Sequence, residues 1–231
     1  MINARRGRSR SAPRRPRSVP EATRARILDT AERLFADRGV DAVSVRAVLK
    51  EAGVNVALAH YHFGSREGLI QELLKDRAAP VAADTLRAVE EADARGPGTS
   101  LEDLLRAYYR AATRSLATRP DTARLYAQLQ HSNNPAIRAM GEEVMSRTLR
   151  RLADALLKRM PPGVPMERVL LRLYMVASVP SYFATHWDRV LRSARKRLPK
   201  GVVPTPEMLT EELTAFSSAG LRAGAAPGAE R

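Results

Sequence analysis

The 231-residue chain contains no cysteine. That removes disulfides, thiolate metal sites and cysteine nucleophiles together, and it suits the reducing conditions of a cytoplasm, where the protein is expected to reside. No apolar run approaches the ~20 residues that a membrane-crossing helix needs, so no membrane partner is expected. The basic N-terminus has no apolar stretch behind it, and a secretory signal is not expected either. Histidines are scarce, four in all. His60 and His62 stand two residues apart, a spacing at which helical side chains diverge, and no carboxylates cluster around them at ligand spacing. No metal and no cofactor are therefore expected. A glycine-rich phosphate loop and a nucleophile–base arrangement are also missing, so no catalytic residue is named and an enzyme is not expected.

Acid is missing from one stretch in particular. Residues 1–20 carry Arg5, Arg6, Arg8, Arg10, Arg14, Arg15 and Arg17 and no acid, in a chain of formal net charge +14. Such an excess points to polyanionic partners. Residues 21–70 hold seven basic and seven acidic residues, so any contact with DNA made there depends on arrangement, not on bulk charge. Residues 1–19 are mostly Arg, Ser, Pro and Gly and are expected to form a disordered basic arm. It serves either as a solubilising tail or as an arm that lies on phosphates or in a minor groove. A second basic stretch, residues 189–200, includes Arg192, Arg195, Lys196 and Arg197. It is either a solvated loop or a second polyanion contact.

No segment alternates at period two, and apolar residues recur at helical spacing throughout, which predicts an all-α chain of about nine helices. From Glu21, residues Ile27, Leu28, Ala31, Leu34 and Phe35 share one face until Gly39 ends the helix. Ser44 opens a second helix that buries Val45, Val48, Leu49 and Ala52. Gly53 permits a sharp turn, and Asn55 caps a short third helix reaching about Tyr61 or His62. Ser65 caps a long helix starting at Arg66, with Leu69, Ile70, Leu73 and Leu74 inward, which Pro80 should kink or interrupt. Gly96-Pro97-Gly98 is a loop. Helices then begin at Ser100, at Pro120 and at Asn134-Pro135, the last running to about Met160. Further helices span 166–192, bent at Pro180, and 206–222. Four regions follow: an arm over 1–19, an N-terminal three-helix helix-turn-helix domain over 20–66, a larger helical effector-binding and dimerisation domain over 67–222, and a disordered tail over 223–231.

Helix, glycine turn and short helix within residues 44–62 make a helix-turn-helix pattern. A recognition helix offers side chains to base edges while its back packs on the preceding helix. Asn55, His60 and Tyr61 suit the outer face, Val54 and Leu58 the inner one. Residues 23–74, with "ILDTAERLFADRGVDAVSVRAV" and "AGVNVALAHYHFGSREGLIQELL", resemble the DNA-binding domain of the tetracycline-repressor (TetR/AcrR) family. The resemblance implies that Ser44 and Arg46 meet phosphates or an adjacent base, that Asn55, Ala57, His60 and Tyr61 line the groove, and that His62 and Arg66 clamp the backbone. The chain departs from the family's usual alanine at Leu49, tyrosine at His60 and glycine at Ala57. Whether His60 or Tyr61 reaches phosphate stays open.

A helix-turn-helix that reads a pseudo-palindromic operator in double-stranded DNA acts as a two-fold dimer, because half-sites lie about 34–36 Å apart. The helices over 166–192 and 206–222 have the apolar content for a homodimer interface, which the resemblance also implies. It further implies an effector pocket, for which Tyr108, Tyr109, Tyr126, His131, Met140 and Tyr174 are candidates. Arg106, Arg110, Arg114 and Arg124 favour an anionic or neutral lipophilic ligand over a cationic one. The expected function is a ligand-responsive repressor that releases its operator on binding a small lipophilic or anionic effector. The alternative is a DNA-binding protein of the same fold without an effector.

Overall fold

A computed structural model describes residues 21–55, 63, 65–199 and 201–224, and among them every regular element is helical. Helix α1 (Glu21–Arg38) buries Ile27, Leu28, Ala31, Leu34 and Phe35, the face set by sequence spacing. Gly39 stops it at φ 82°, its N–H donating to Phe35 O at 3.0 Å. A short 3-10 turn (Val40–Ala42) leads to α2 (Val45–Glu51), where Ser44 Oγ accepts the Ala47 N–H at 3.1 Å. Val48, Leu49 and Ala52 are buried; Val45, in the first turn of α2, is only half-buried and packs on the edge of the core. Gly53 takes φ 64°, the left-handed region that favours glycine.

The long helix after Ser65 is two helices, α3 (Arg66–Leu73) and α4 (Ala79–Asp93), joined by a π turn over Leu74–Ala78. Its cause is Pro80. Proline has no N–H for a carbonyl one turn back, and its ring crowds that carbonyl. The chain widens one turn ahead of it, and the Ala79 N–H reaches Leu74 O, five residues back. The expected interruption is thus present as a local unwinding, with helix continuing on both sides.

The remaining elements are α5 (Leu101–Thr118), α6 (Pro120–Gln130), α7 (Pro135–Leu157), α8 (Met166–Arg195) and α9 (Pro206–Arg222). A capping box opens α5: Ser100 Oγ accepts the Asp103 N–H at 3.1 Å and the Asp103 carboxylate accepts the Ser100 N–H at 3.0 Å. Asn134 and Thr205 cap α7 and α9. Helix α7 stops three residues short of Met160, and α8 runs three beyond residue 192.

Two hydrophobic cores form. The first joins α1, α2, Phe63 and α3 with Leu125 and Leu129 of α6 and Ile137 of α7. The second gathers Val89, Leu104, Leu105, Tyr108, Tyr109, Leu152, Val176, Leu213 and Leu221 from α4, α5 and α7–α9. Helix α6 packs on α1 at one side and on α8 at the other, so the first core reaches well past residue 66.

Candidate nucleic-acid interface and effector cavity

The end of the helix-turn-helix is built around one close approach. The Ser65 N–H donates to Phe63 O at 2.6 Å, and Ser65 Oγ accepts the Gly68 N–H at 3.0 Å. A Cβ on Gly68 would stand 2.0 Å from that Phe63 carbonyl oxygen. Only glycine lets α3 start this close to the preceding chain. Sequence reasoning did not single out Gly68; the signal available was a glycine inside a capped first turn, where other residues make better helix.

Ser44 and Arg46 are exposed at the start of α2, and Arg46 has no ion pair among the described residues. Asn55 is exposed at the turn. Leu49 is fully within the core, with the Val54 N–H closing the turn on Leu49 O at 3.0 Å. Ala57, His60, Tyr61 and His62 lie outside the described residues, as do the arm over 1–19, most of the short third helix and the tail beyond Gly224. Arg66, the first residue of α3, is 29% exposed, and its Nη2 stands 3.7 Å from Asp41. Its Nε and Nη2 have no hydrogen-bond partner among the described residues. Both nitrogens are shut off from solvent.

Asp41 belongs to a polar junction between the two halves. It accepts the Ser132 hydroxyl at 2.7 Å and the Asn133 N–H at 2.6 Å, and Asn134 Nδ2 donates to Glu67 at 3.4 Å. The Asn133 N–H above all, then the Ser132 hydroxyl, holds the Asp41 carboxyl below the usual carboxylate range. A second link joins α1 to α6, where the Thr122 hydroxyl donates to Glu32. Arg77, in the π turn, lies 2.5 Å from Asp29 and 3.7 Å from Glu32.

Thr122 also lines a cavity of about 70 Å³ between α4, α5, α6, α7 and α8. Its walls are mostly apolar, with the hydroxyls of Thr85, Tyr108, Ser115, Thr122, Tyr126 and Ser181 and no charged side chain. Burial pushes the Tyr126 phenol up to about 12, and that of Tyr108 higher still. Both remain neutral donors across the physiological range. Ala78 of the π turn and Pro180 of α8 lie in the wall, so the cavity borders two places where regular helix is interrupted or lacks a hydrogen bond. A site for a drug-sized ligand spans roughly 300–1,000 Å³; a guest of that size would have to push these walls apart.

Of the six residues expected at an effector pocket, the structure brings Tyr108 and Tyr126 to this cavity. Tyr109 is buried behind it, bonded to Ser217 at 2.7 Å. Met140 packs on the first core, His131 is exposed at the end of α6, and Tyr174 is 77% exposed on α8. Tyr174 has company there: Leu170, Leu171, Met175 and Tyr182 of α8 and Met208 and Phe216 of α9 are exposed too. Single exposed apolar residues are ordinary, but a concentration on two neighbouring helices is a feature of interaction surfaces. Among the described residues there is no group of three or more potential metal ligands, and no helix is long and apolar enough to cross a membrane.

Residues 27–73 match the family model of bacterial regulatory proteins of the tetR family, and residues 102–220 match that of the tetracyclin repressor-like C-terminal domain. Over 65 residues the chain is 38% identical to the HTH-type transcriptional repressor KstR2 of Mycolicibacterium smegmatis, a match covering 28% of this chain and 31% of that protein. The HTH-type transcriptional regulator BetI of Agrobacterium fabrum is 25% identical over 188 residues, 81% of this chain and 84% of that one. The structure of the ketosteroid transcriptional regulator KstR2 of Mycobacterium tuberculosis superposes with a TM-score of 0.59 at 18% identity, covering 89% of this chain and 98% of that one.

Proposed function

The chain belongs to the tetracycline-repressor family of bacterial transcriptional regulators, and from that premise we propose that it is an operator-binding repressor that works as a homodimer and responds to a small-molecule effector. Ser44, Arg46, Asn55, Ala57, His60, Tyr61, His62 and Arg66 contact the operator, hydroxyls and guanidinium groups taking phosphates and the short helix taking base edges. The exposed apolar residues of α8 and α9 meet the same residues of a second copy, as a two-fold interface requires. That the relative from Mycolicibacterium smegmatis is a repressor supports the sign of regulation.

The observation that carries the effector reading is Thr122. It lines the cavity and donates to Glu32 on α1, the helix on which the helix-turn-helix is built. A guest that parts the walls moves α6 against α1, and α4 against α3 through the π turn. This changes the separation of the two DNA-reading units. The ligand releases DNA because it binds the parted conformation better than the operator-bound one. The small volume of the cavity favours one competing reading, a regulator of the same fold with no effector.

Fluorescence anisotropy against the upstream intergenic DNA and scrambled DNA, across a salt series, tests the first part with the full chain and a chain lacking residues 1–19. Sequence-specific binding that persists without the arm, with a shallower salt slope, supports residues 44–66 as the reader. Equal affinity for both DNAs, or loss of all binding with the arm, overturns it. Thr122→Val tests the second part: operator affinity is kept while the effector no longer lowers it. Full effector response in that variant removes Thr122 from the coupling.

A further inference from the structure

Between α4 and α5 runs a groove of about 540 Å³ that shares Val81 and Ser115 with the cavity wall. Five arginines line it, Arg87, Arg95, Arg110, Arg114 and Arg119, against two acids, Asp84 and Glu91. Both acids are engaged by one arginine: Arg87 lies 2.9 Å from Asp84 and 3.8 Å from Glu91. The side chains of Arg110, Arg114 and Arg119 have no ion pair or hydrogen bond among the described residues. Neighbouring arginines are treated differently. Arg106, one turn before Arg110, is held by Glu211 at 3.1 Å, and Arg124 by Asp121 at 2.5 Å. Arg110 and Arg114 stand at i, i+4, where like charges repel, and neither has an ion pair among the described residues.

We infer that this groove receives the phosphate-bearing head of an amphiphile whose apolar body enters the cavity. The inference rests on the reading of the cavity as an effector site, and it adds the ligand's chemistry. The cavity has hydroxyls and no charge, so it suits an apolar body with few polar atoms. The groove offers three guanidinium groups without an ion pair among the described residues, forked donors that match phosphate oxygens. A lone carboxylate would engage one of them; three call for a multiply charged head, and the groove has room for a group of nucleotide size. Val81 and Ser115 line both spaces, so a molecule that parts the wall there spans both. Its head would bring α4 and α5 together while its body parts them from α7 and α8.

Isothermal titration calorimetry on the full-length protein tests this with four probes: decanol, coenzyme A, decanoyl coenzyme A and a single-chain lysophosphatidic acid of ten carbons. At least one phosphate-bearing amphiphile binds ten-fold or more tightly than decanol, and coenzyme A alone binds more weakly than decanoyl coenzyme A. Preference for decanoyl coenzyme A assigns a nucleotide-type head, and preference for the lysophosphatidic acid a lipid one. R110A/R114A erases the advantage of the phosphate head and flattens its salt dependence, while decanol binds unchanged. The substitutions relieve a like-charge pair on an exposed helix face, so the variant keeps or slightly raises its melting temperature. Unchanged amphiphile affinity in R110A/R114A overturns the groove assignment, as does a phosphate head that adds nothing over decanol; either result leaves the cavity reading standing. Binding of none of the four probes overturns both.

Discussion

The hydroxyl of Tyr109 lies 3.4 Å from the carbonyl oxygen of Val176. That carbonyl would have bonded to the N–H four residues on, but the residue there is Pro180, within α8. Tyr109, from the neighbouring α5, supplies the donor that proline withholds, and Tyr108 approaches the next carbonyl, Ala177 O, at 3.4 Å. Two tyrosines in sequence thus secure the weakest turn of the longest helix. An unsatisfied buried carbonyl costs about 1–3 kcal/mol. Tyr109→Phe removes this donor and the 2.7 Å bond to Ser217, and is expected to lower stability by about 2 kcal/mol in urea denaturation. A loss under ~0.5 kcal/mol would mean that the Val176 carbonyl is served otherwise.

Gly68→Ala places a methyl group against the Phe63 carbonyl oxygen. Ordinarily glycine to alanine in a helix gains ~0.5–1 kcal/mol. Here the sign reverses, because α3 must back away from the preceding chain, and a loss of roughly 2 kcal/mol together with weakened operator binding is expected. Gly98→Ala, where nothing stands within 4 Å of the added carbon, serves as the comparison and should be close to neutral in both assays.

Acid should loosen the junction at Asp41. Its carboxyl is held below the usual range by the Asn133 N–H first and then the Ser132 hydroxyl. The stabilisation is therefore complete above the unfolded value, near ~4, and is lost as pH falls through the lower folded value. Between pH 5 and 8 this group contributes no slope. Asp41→Asn should cost about 1 kcal/mol at neutral pH, since the carboxylate is a third exposed and screened. Its melting temperature should also fall less steeply below pH 4 than that of the parent. Parallel curves for the two proteins would show that the junction carries no charge-dependent stability.

Asp93 makes the corresponding clasp on the far side. It receives Arg151 at 2.5 Å and Arg159 at 2.7 Å, and Arg159 also donates to Thr99 O at 2.7 Å, fastening the α4–α5 loop to the end of α7. Asp93→Asn leaves two guanidinium groups around a neutral amide and is expected to cost about 2 kcal/mol, read by thermal denaturation. Replacing Lys158, 3.8 Å away and exposed, should change little.

Filling the cavity probes the effector reading without a ligand. Ala112→Leu inserts three carbons from α5 into a space of about 70 Å³ and should alter stability by no more than ~1 kcal/mol. Operator affinity should then drop if occupancy itself parts the walls, or effector response should vanish if it merely blocks entry. Wild-type affinity with wild-type response would separate the cavity from regulation.

Much of this architecture was legible in the residues. Ser44, Ser65, Ser100 and Asn134 each cap the helix expected of them, since a side-chain oxygen ahead of an apolar stripe has a local meaning that packing seldom overrides. The apolar face of α1 followed from its spacing. What spacing cannot tell is which neighbour a buried face meets. Met140 and Tyr126 both sit on apolar stripes, yet one joins the first core and the other the cavity. Nor does it tell which arginine finds an acid: Glu211, the partner of Arg106, lies 105 positions away. Pro80 announced an interruption, but not that it would take the form of a π turn with helix continuing on both sides.

The first hydrophobic core has a practical consequence for anyone building chimeras. A DNA-reading module is commonly thought of as a cartridge, exchangeable at the end of the helix-turn-helix. Here a cut at residue 66 would strand Leu125, Leu129 and Ile137 on the recipient without the α1 side chains that pack in the same core, each such exposure costing about 1.5–3 kcal/mol. The transplantable unit is discontinuous: α1 to α3 together with the inner faces of α6 and α7. On the proposed reading, operator specificity would therefore be regrafted residue by residue at Asn55, Ala57, His60 and Tyr61, and not swapped wholesale.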